Sequence, residues 1–222
     1  KTKFKLNPRI NENPYLDNQL KQLEMQFNAT KQRLQNKFGT KKFIVYFQSF
    51  TNTYAPIATL KALYEKALSF ENVIGLSIGT RTDCVTDEIL DYLVDLSKDK
   101  EIWIEFGIQS FYDETLVNIN RGDTADNMRY WIKRSKEKGL NVCGHLIYGL
   151  PKETQEMMLE TFRQTVELKV DSIKFHPLYV VKNTLLTNEF KKGRFTPISE
   201  ELYIDTVVKS IKNLPENISI QR

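Results

Sequence analysis

Cysteine is nearly absent: the 222 residues contain only Cys84 and Cys143, far apart and with no Cys-x-x-Cys pairing. Neither a disulfide framework nor a zinc cage can be read from such a pair, and a reducing cytoplasm suits it best. Long hydrophobic runs are missing as well. No apolar stretch approaches the roughly 18 residues that span a bilayer and no signal-peptide pattern opens the chain, so a soluble protein without a membrane partner is expected. Walker A, G-x-G-x-x-G and H-E-x-x-H patterns are absent too, which removes nucleotide kinases, Rossmann dehydrogenases and zincins. Neither sign of charge dominates. Lys and Arg exceed Asp and Glu by 32 to 28, a net +4 with a pI near 8.9, which permits an anionic partner without demanding one.

The chain has enough apolar and aromatic residues, 41% and 11%, to bury one large core, so residues 1–222 are expected to form a single domain. Residues 1–13 carry no helix start signal and are expected to be irregular. The first residue is Lys1, and further residues are expected upstream of it.

A helix with Leu16, Leu20, Leu23, Phe27, Leu34 and Phe38 near helical spacing is predicted from about Pro14 to Gly39. Strands and helices then alternate. Strands are predicted in KFIVYFQSF, NVIGLSIGT, IWIEFGIQS, LNVCGHLIYGL, SIKFHPLYVV and NISIQ. Between them come helices at PIATLKALYEKAL, TDEILDYLVDLS, FYDETLVNIN, TADNMRYWIKRSKEKG, TQEMMLETFRQTVEL, NTLLTNEFKKG and SEELYIDTVVKSIKNL, the last capped by Ser199. Such alternation with short connections calls for parallel strands and right-handed crossovers, in either an α/β barrel or a doubly wound sheet.

The strands of a doubly wound sheet meet helices on both faces and read as continuous apolar runs. These alternate instead. In IWIEFGIQS the residues Ile102, Ile104, Phe106 and Ile108 oppose Trp103, Glu105, Gly107 and Gln109. Ile74, Leu76 and Ile78 oppose Gly75, Ser77, Gly79 and Arg81; Val142, Leu146 and Tyr148 oppose Cys143, His145 and Ile147; Ile173 and Phe175 oppose Lys174 and His176. Burying Glu105, Gln109, His145, Lys174 and His176 without partners would cost several kcal/mol each. A partly open barrel whose polar face surrounds a ligand avoids that cost, and glycines at 75, 79, 107, 144 and 149 suggest that something flat approaches the strands closely.

Three other readings compete. Gly75–Gly79 spells the nucleophile-elbow pattern G-x-S-x-G, with Asp171 and His176 following in hydrolase order, but Ser77 lies mid-strand, where an elbow needs a sharp turn. Glu105, His145 and His176 could ligate the metal of a barrel hydrolase. A non-catalytic barrel that binds a ligand is the third.

The segments EFGIQSFYDETLVNINRGDT and HLIYGLP, together with YFQSFTNTYAP, GLSIGTRTDC and IKFHPLYVVKNT, resemble the radical S-adenosylmethionine (SAM) core. That core is shared by oxygen-independent coproporphyrinogen oxidases and the Elongator catalytic subunit, and the nearest pattern is that of the YhcC-type branch. The resemblance runs from about Pro14 to Arg222. It implies an α/β fold, an open partial (β/α)6 barrel of mainly parallel strands, here without its first, cluster-bearing strand. It also implies an oxidoreductase-type enzyme that binds SAM and a [4Fe-4S] cluster, draws on an electron donor and cleaves SAM reductively to a 5′-deoxyadenosyl radical. Residue by residue, Ser49, Phe50, Thr51 and Asn52 would meet the SAM amino group, Gln109 and His145 the ribose, and Arg121 the carboxylate, whose shape suits a guanidinium fork. Ile147 through Leu150, Gly149 included, would frame the adenine, and Ser77, Thr80 or Arg81 would replace an acid absent at Gly79. The cluster's C-x-x-x-C-x-x-C ligands are missing from the chain and are expected upstream of Lys1, so the 222 residues alone should be inactive. The resemblance makes either a tRNA uridine or a small molecule the substrate. The basic runs IKRSKEKG and EFKKGR suit the former.

Overall fold

The computed structural model describes residues 15–221; the irregular stretch expected over residues 1–13 lies outside them. The described residues separate into two compact units, one formed by the chain up to Ile104 with Lys138–Leu140, the other by Glu105–Glu137 with the chain from Asn141 onward.

The first unit opens with α1 (Leu16–Phe38), which ends where Gly39 adopts a left-handed φ of 65° and its N–H returns to Gln35 O, as a glycine C-cap should. No α1 residue is fully buried. The helix is held by an aromatic contact, with Phe27 stacked on Phe70 at 4.6 Å and edge-on to Phe43 at 5.9 Å. Next come β1 (Phe43–Phe47), α2 (Ile57–Leu68), β2 (Val73–Thr80), a 3-10 turn at Thr82–Cys84 and α3 (Asp87–Ser97), followed by the start of β3 (Glu101–Gln109). Thr86 caps α3 by accepting the Ile89 N–H. Strands β1 and β2 pair in parallel, with Tyr46 opposite Ser77.

The second unit takes up β3 at Glu105 and continues with α4 (Asp113–Asn118), α5 (Ala125–Glu137), β4 (Asn141–Tyr148), α6 (Gln155–Glu167), β5 (Ser172–Pro177), α7 (Leu185–Lys191), α8 (Glu200–Lys212) and β6 (Ser219–Ile220). Thr154, Thr184 and Ser199 cap α6, α7 and α8, so the cap expected from sequence at Ser199 is present. Strands β4, β5 and β6 pair in parallel, with His145 opposite Lys174 and Ile147 opposite His176.

The strand order is β1-β2-β3-β4-β5-β6. A doubly wound sheet reverses its order at a switch point; this one never does, which favours the (β/α)-barrel topology that the alternating strands suggested. The apolar faces behave as expected: Ile102, Ile104, Phe106, Ile108, Val142, Leu146, Tyr148 and Ile173 are all at most 1% exposed.

The reason for the strand glycines is different from the expected one. An added Cβ at Gly75 would lie 2.0 Å from the Glu101 carbonyl oxygen, and one at Gly144 would meet Ile108 and Thr165 at 2.9 and 3.1 Å. Neighbouring protein, rather than a ligand, approaches at these two positions.

Candidate functional site

In the first unit the segment after β1 is tied down by its own side chains. Asn52 Nδ2 donates to Phe47 O at 2.9 Å and to Gly79 O at 2.8 Å, while Asn52 O accepts from Tyr64 Oη at 2.6 Å. Buried Thr53 shares a 2.5 Å hydrogen bond with Thr80 and donates to Cys84 O at 2.6 Å. Both amide hydrogens of Asn52 therefore serve the loop, while Ser49 is exposed and Thr51 half-buried. Phe50 stands at φ 64° and is 96% exposed. For a bulky side chain that backbone conformation is strained; Asn52 and Thr53 anchor the residues that follow it.

On β2, Ser77 lies in the middle of an extended strand and is buried, so no elbow turn presents its hydroxyl, and the hydrolase reading fails there. Arg81 forms a two-point ion pair with Asp83, Nε to Oδ1 at 2.7 Å and NH2 to Oδ2 at 2.5 Å.

In the second unit the polar side chains divide by depth. At the floor, Glu105 Oε2 accepts from His145 Nε2 at 2.6 Å and from Lys174 Nζ at 2.5 Å, with Glu105 and Lys174 at 2% and 5% exposure. The register places His145 directly opposite Lys174 across β4 and β5, so strands 40 and 69 residues from Glu105 deliver both partners to one oxygen. The expectation that these groups would need a ligand to avoid unpaired burial is corrected by this arrangement, in which they satisfy one another.

The metal-ligand set expected from sequence, Glu105, His145 and His176, is not brought together among the described residues. Glu105, Cys143 and His145 have ligand atoms within 4.8 Å of one another, a group that does not include His176. The carboxylate already carries an ammonium, and burial, followed by the Glu105 charge, pushes the Cys143 thiol up to about 12. Without a bound cation the Cys143 side chain is therefore a neutral thiol. The His176 ring lies 5.3 Å from that of His145. Partial desolvation, then the charges of His145 and Lys174, lowers its pKa below 6.5.

At the rim the balance differs. Gln109, the last residue of β3, adopts φ 69°, and its Oε1 is buried with no hydrogen-bond partner among the described residues. Arg121, from the loop after α4, donates through NH2 to Gly107 O. A Cβ on Gly107 would stand 2.8 Å from Gln109 Nε2 and 3.1 Å from Arg121 NH2, so the missing side chain is what lets these two polar heads converge. A buried acceptor beside a guanidinium can receive a hydroxyl while the cation faces a carboxylate.

Gly149, just past β4, is less available than the sequence suggested. Its N–H meets Met158 Sδ at 3.1 Å and its α-carbon is covered by Ile198, 2.6 Å from where a Cβ would be, at φ 90°. Ile147 is half-buried. The sequence singled out neither the Thr53–Thr80 tether nor Glu153, which accepts from Ser110 at 2.5 Å. In both, the partners are remote along the chain, and the only sequence signal was the polar residues at strand ends.

The sequence pattern of the Radical SAM superfamily matches residues 16–165, and that of the Radical_SAM C-terminal domain matches residues 170–222. The chain is 34% identical over 208 residues to protein YtqA of Bacillus subtilis, covering 94% of this chain and 65% of that protein. It is 39% identical over 184 residues to protein YhcC of Escherichia coli K12, covering 82% and 59%. It therefore spans about three fifths of the length of these relatives. Among solved structures, the archaeal Elp3 of Methanocaldococcus infernus with an N-terminal deletion superposes with a TM-score of 0.77 at 23% identity, over 90% of this chain and 52% of that one; this likeness concerns the fold.

Proposed function

This chain belongs to the Radical SAM superfamily, and on that premise we propose that it is the SAM-holding part of an enzyme that cleaves SAM reductively. With SAM and a [4Fe-4S] cluster bound, such a site supplies one-electron cleavage of the SAM sulfonium to a 5′-deoxyadenosyl radical.

The fit of the two groups to this chain differs. The cluster needs three thiolates on a short loop. This chain offers Cys84 and Cys143, whose pKa values burial raises to about 11 and about 12. They do not suit the cluster, and its ligands belong in our reading to residues beyond these 222. SAM fits better. The observation that carries the proposal is the orphaned Oε1 of Gln109, a buried acceptor held in a strained conformation beside Arg121. An unpaired buried acceptor costs about 1–3 kcal/mol; a ribose hydroxyl donating to it removes the cost. Arg121 would pair with the methionyl carboxylate. His145, its Nε2 held by Glu105, would border the ribose, and Ile147 and Gly149 would line the adenine through backbone groups. An electron donor completes the requirement.

The test uses full-length protein prepared without oxygen and reconstituted with iron and sulfide. We expect 5′-deoxyadenosine to be released on reduction with SAM. Binding of SAM, measured by equilibrium dialysis without reductant, should weaken about tenfold in Gln109→Leu, the scale of one lost hydrogen bond. An iron-free, colourless preparation, or unchanged SAM binding in the variant, contradicts the reading. A carrier without chemistry would bind SAM normally and release no 5′-deoxyadenosine.

A further inference from the structure

Two basic runs stand out in the chain, and the structure treats them oppositely. In the run at the end of α5, Lys136 pairs with Asp171 at 2.5 Å, Lys138 with Asp91 and with Asp87, and Arg134 with Glu137 at 3.9 Å. Those cations are taken up by the fold. In the segment Tyr179–Arg194, which leaves β5 and runs through α7, Arg194 makes a two-point pair with Glu189 at 2.6 Å, and Lys192 acts on that same carboxylate through its charge without a close contact. Lys182, Lys191 and Lys192 are exposed and make no ion pair among the described residues. With four cations against the one acid Glu189, this segment carries a net +3 where all 222 residues carry +4.

The segment is also apolar where it is wet. Tyr179, Val181, Leu185 and Phe190 are all classed as exposed, Tyr179 at 73%, and α7 has no buried residue. Its ends are nonetheless fixed. Leu178 N–H donates to Tyr148 O at 2.9 Å, and Ile198, just beyond the segment, packs on Gly149. Within it, the Thr184 hydroxyl donates to Val181 O and accepts from Thr187 N–H. This is a strap with both feet at the C-terminal end of β4, where ligands of α/β folds bind. Exposed lysines in excess over the one acid, next to exposed aromatic rings, match a phosphodiester backbone with unstacked bases.

From this we infer that the Tyr179–Arg194 strap binds the substrate, and that the substrate is an RNA presenting unpaired bases, the lysines contacting phosphates and Tyr179 and Phe190 stacking on bases. RNA loops and single strands are what aromatic side chains read in this way. The inference names the substrate of the reaction proposed above and rests on that reading, but binding is measured without SAM or reductant, so the two can fail separately.

The test is fluorescence anisotropy with full-length protein and a labelled single-stranded RNA about 16 nucleotides long. For the triple variant Lys182→Gln, Lys191→Gln, Lys192→Gln we expect at least about tenfold weaker binding near physiological salt and a log–log salt slope shallower by about 2, as three lost phosphate contacts on a single strand require. Tyr179→Ala should weaken binding about tenfold with the slope unchanged. Lys136→Gln, in the paired run, should leave RNA affinity as it was. The inference is overturned if the triple variant binds RNA like the parent, if a duplex of the same sequence binds equally well, or if vesicles containing phosphatidylserine recruit the protein while RNA does not. The three lysines make no hydrogen bond or close ion pair among the described residues, so a nearly unchanged thermal unfolding curve for the triple variant is expected and separates lost binding from lost folding.

Discussion

The floor and the rim of the second unit's polar face look alike in sequence and differ in physical state. At the floor, Glu105 is nearly sealed from water, yet two donors meet its Oε2. At the rim, Gln109 is less deeply placed, yet its Oε1 has no partner among the described residues. A polar stripe along strands is therefore no evidence of a ligand by itself. The residue left unsatisfied is the better pointer, because burial without a partner persists only where something else repays it.

The largest expected effect breaks the floor. Lys174→Met removes the buried ammonium from Glu105 and should destabilise the protein by about 3–5 kcal/mol in urea unfolding, whereas Glu105→Leu with Lys174→Met should recover most of that loss. If the single variant were harmless, the floor would not be the closed ion pair described. Gln109→Leu should do the opposite at the rim. By removing an acceptor with no partner it should raise the stability of the ligand-free protein by about 1 kcal/mol, seen as a higher urea midpoint at unchanged slope. A destabilised variant would mean that Oε1 is already satisfied.

Gly107→Ala sharpens the contrast further, since its methyl group would meet Gln109 and Arg121 at the distances given above. These side-chain ends can swing aside, so stability should change by less than about 1 kcal/mol, while SAM binding, read by dialysis, should weaken more than in Gln109→Leu because both heads move. The smallest effect concerns pH. His176 has its pKa lowered in the folded state from 6.5, so the neutral ring is favoured there. The stability it contributes is present above pH 6.5 and is lost as pH falls through the lower folded value. His176→Gln should flatten that loss in unfolding curves taken on either side of pH 6.5; an unchanged pH profile would place the titration elsewhere.

Much of this was legible beforehand. Leu16 to Phe38, the alternation in IWIEFGIQS and the cap at Ser199 are local patterns that the chain writes within a few residues. The α/β fold and the family followed from them and from motifs such as HLIYGLP. What was not legible depends on partners distant in sequence. Nothing near Lys174 announces Glu105, 69 residues away, and nothing near Lys136 or Lys138 announces Asp171 or Asp91, so two basic runs that read alike differ in how far the fold pairs them. The positive φ of Gln109 was equally hidden, because no turn residue marks it. Gly75 and Gly144 were legible as close approaches, but the approaching groups were a carbonyl of β3 and side chains of β3 and α6 in place of a ligand.

The central claim is that the strand end at Gln109 is built to hold SAM. Calorimetric titration of SAM into oxygen-free full-length protein and into Gln109→Leu addresses it without any turnover. The account predicts saturable binding to the parent and affinity about tenfold lower in a variant that is itself no less stable; equal affinity in both, or no binding to either, would contradict it.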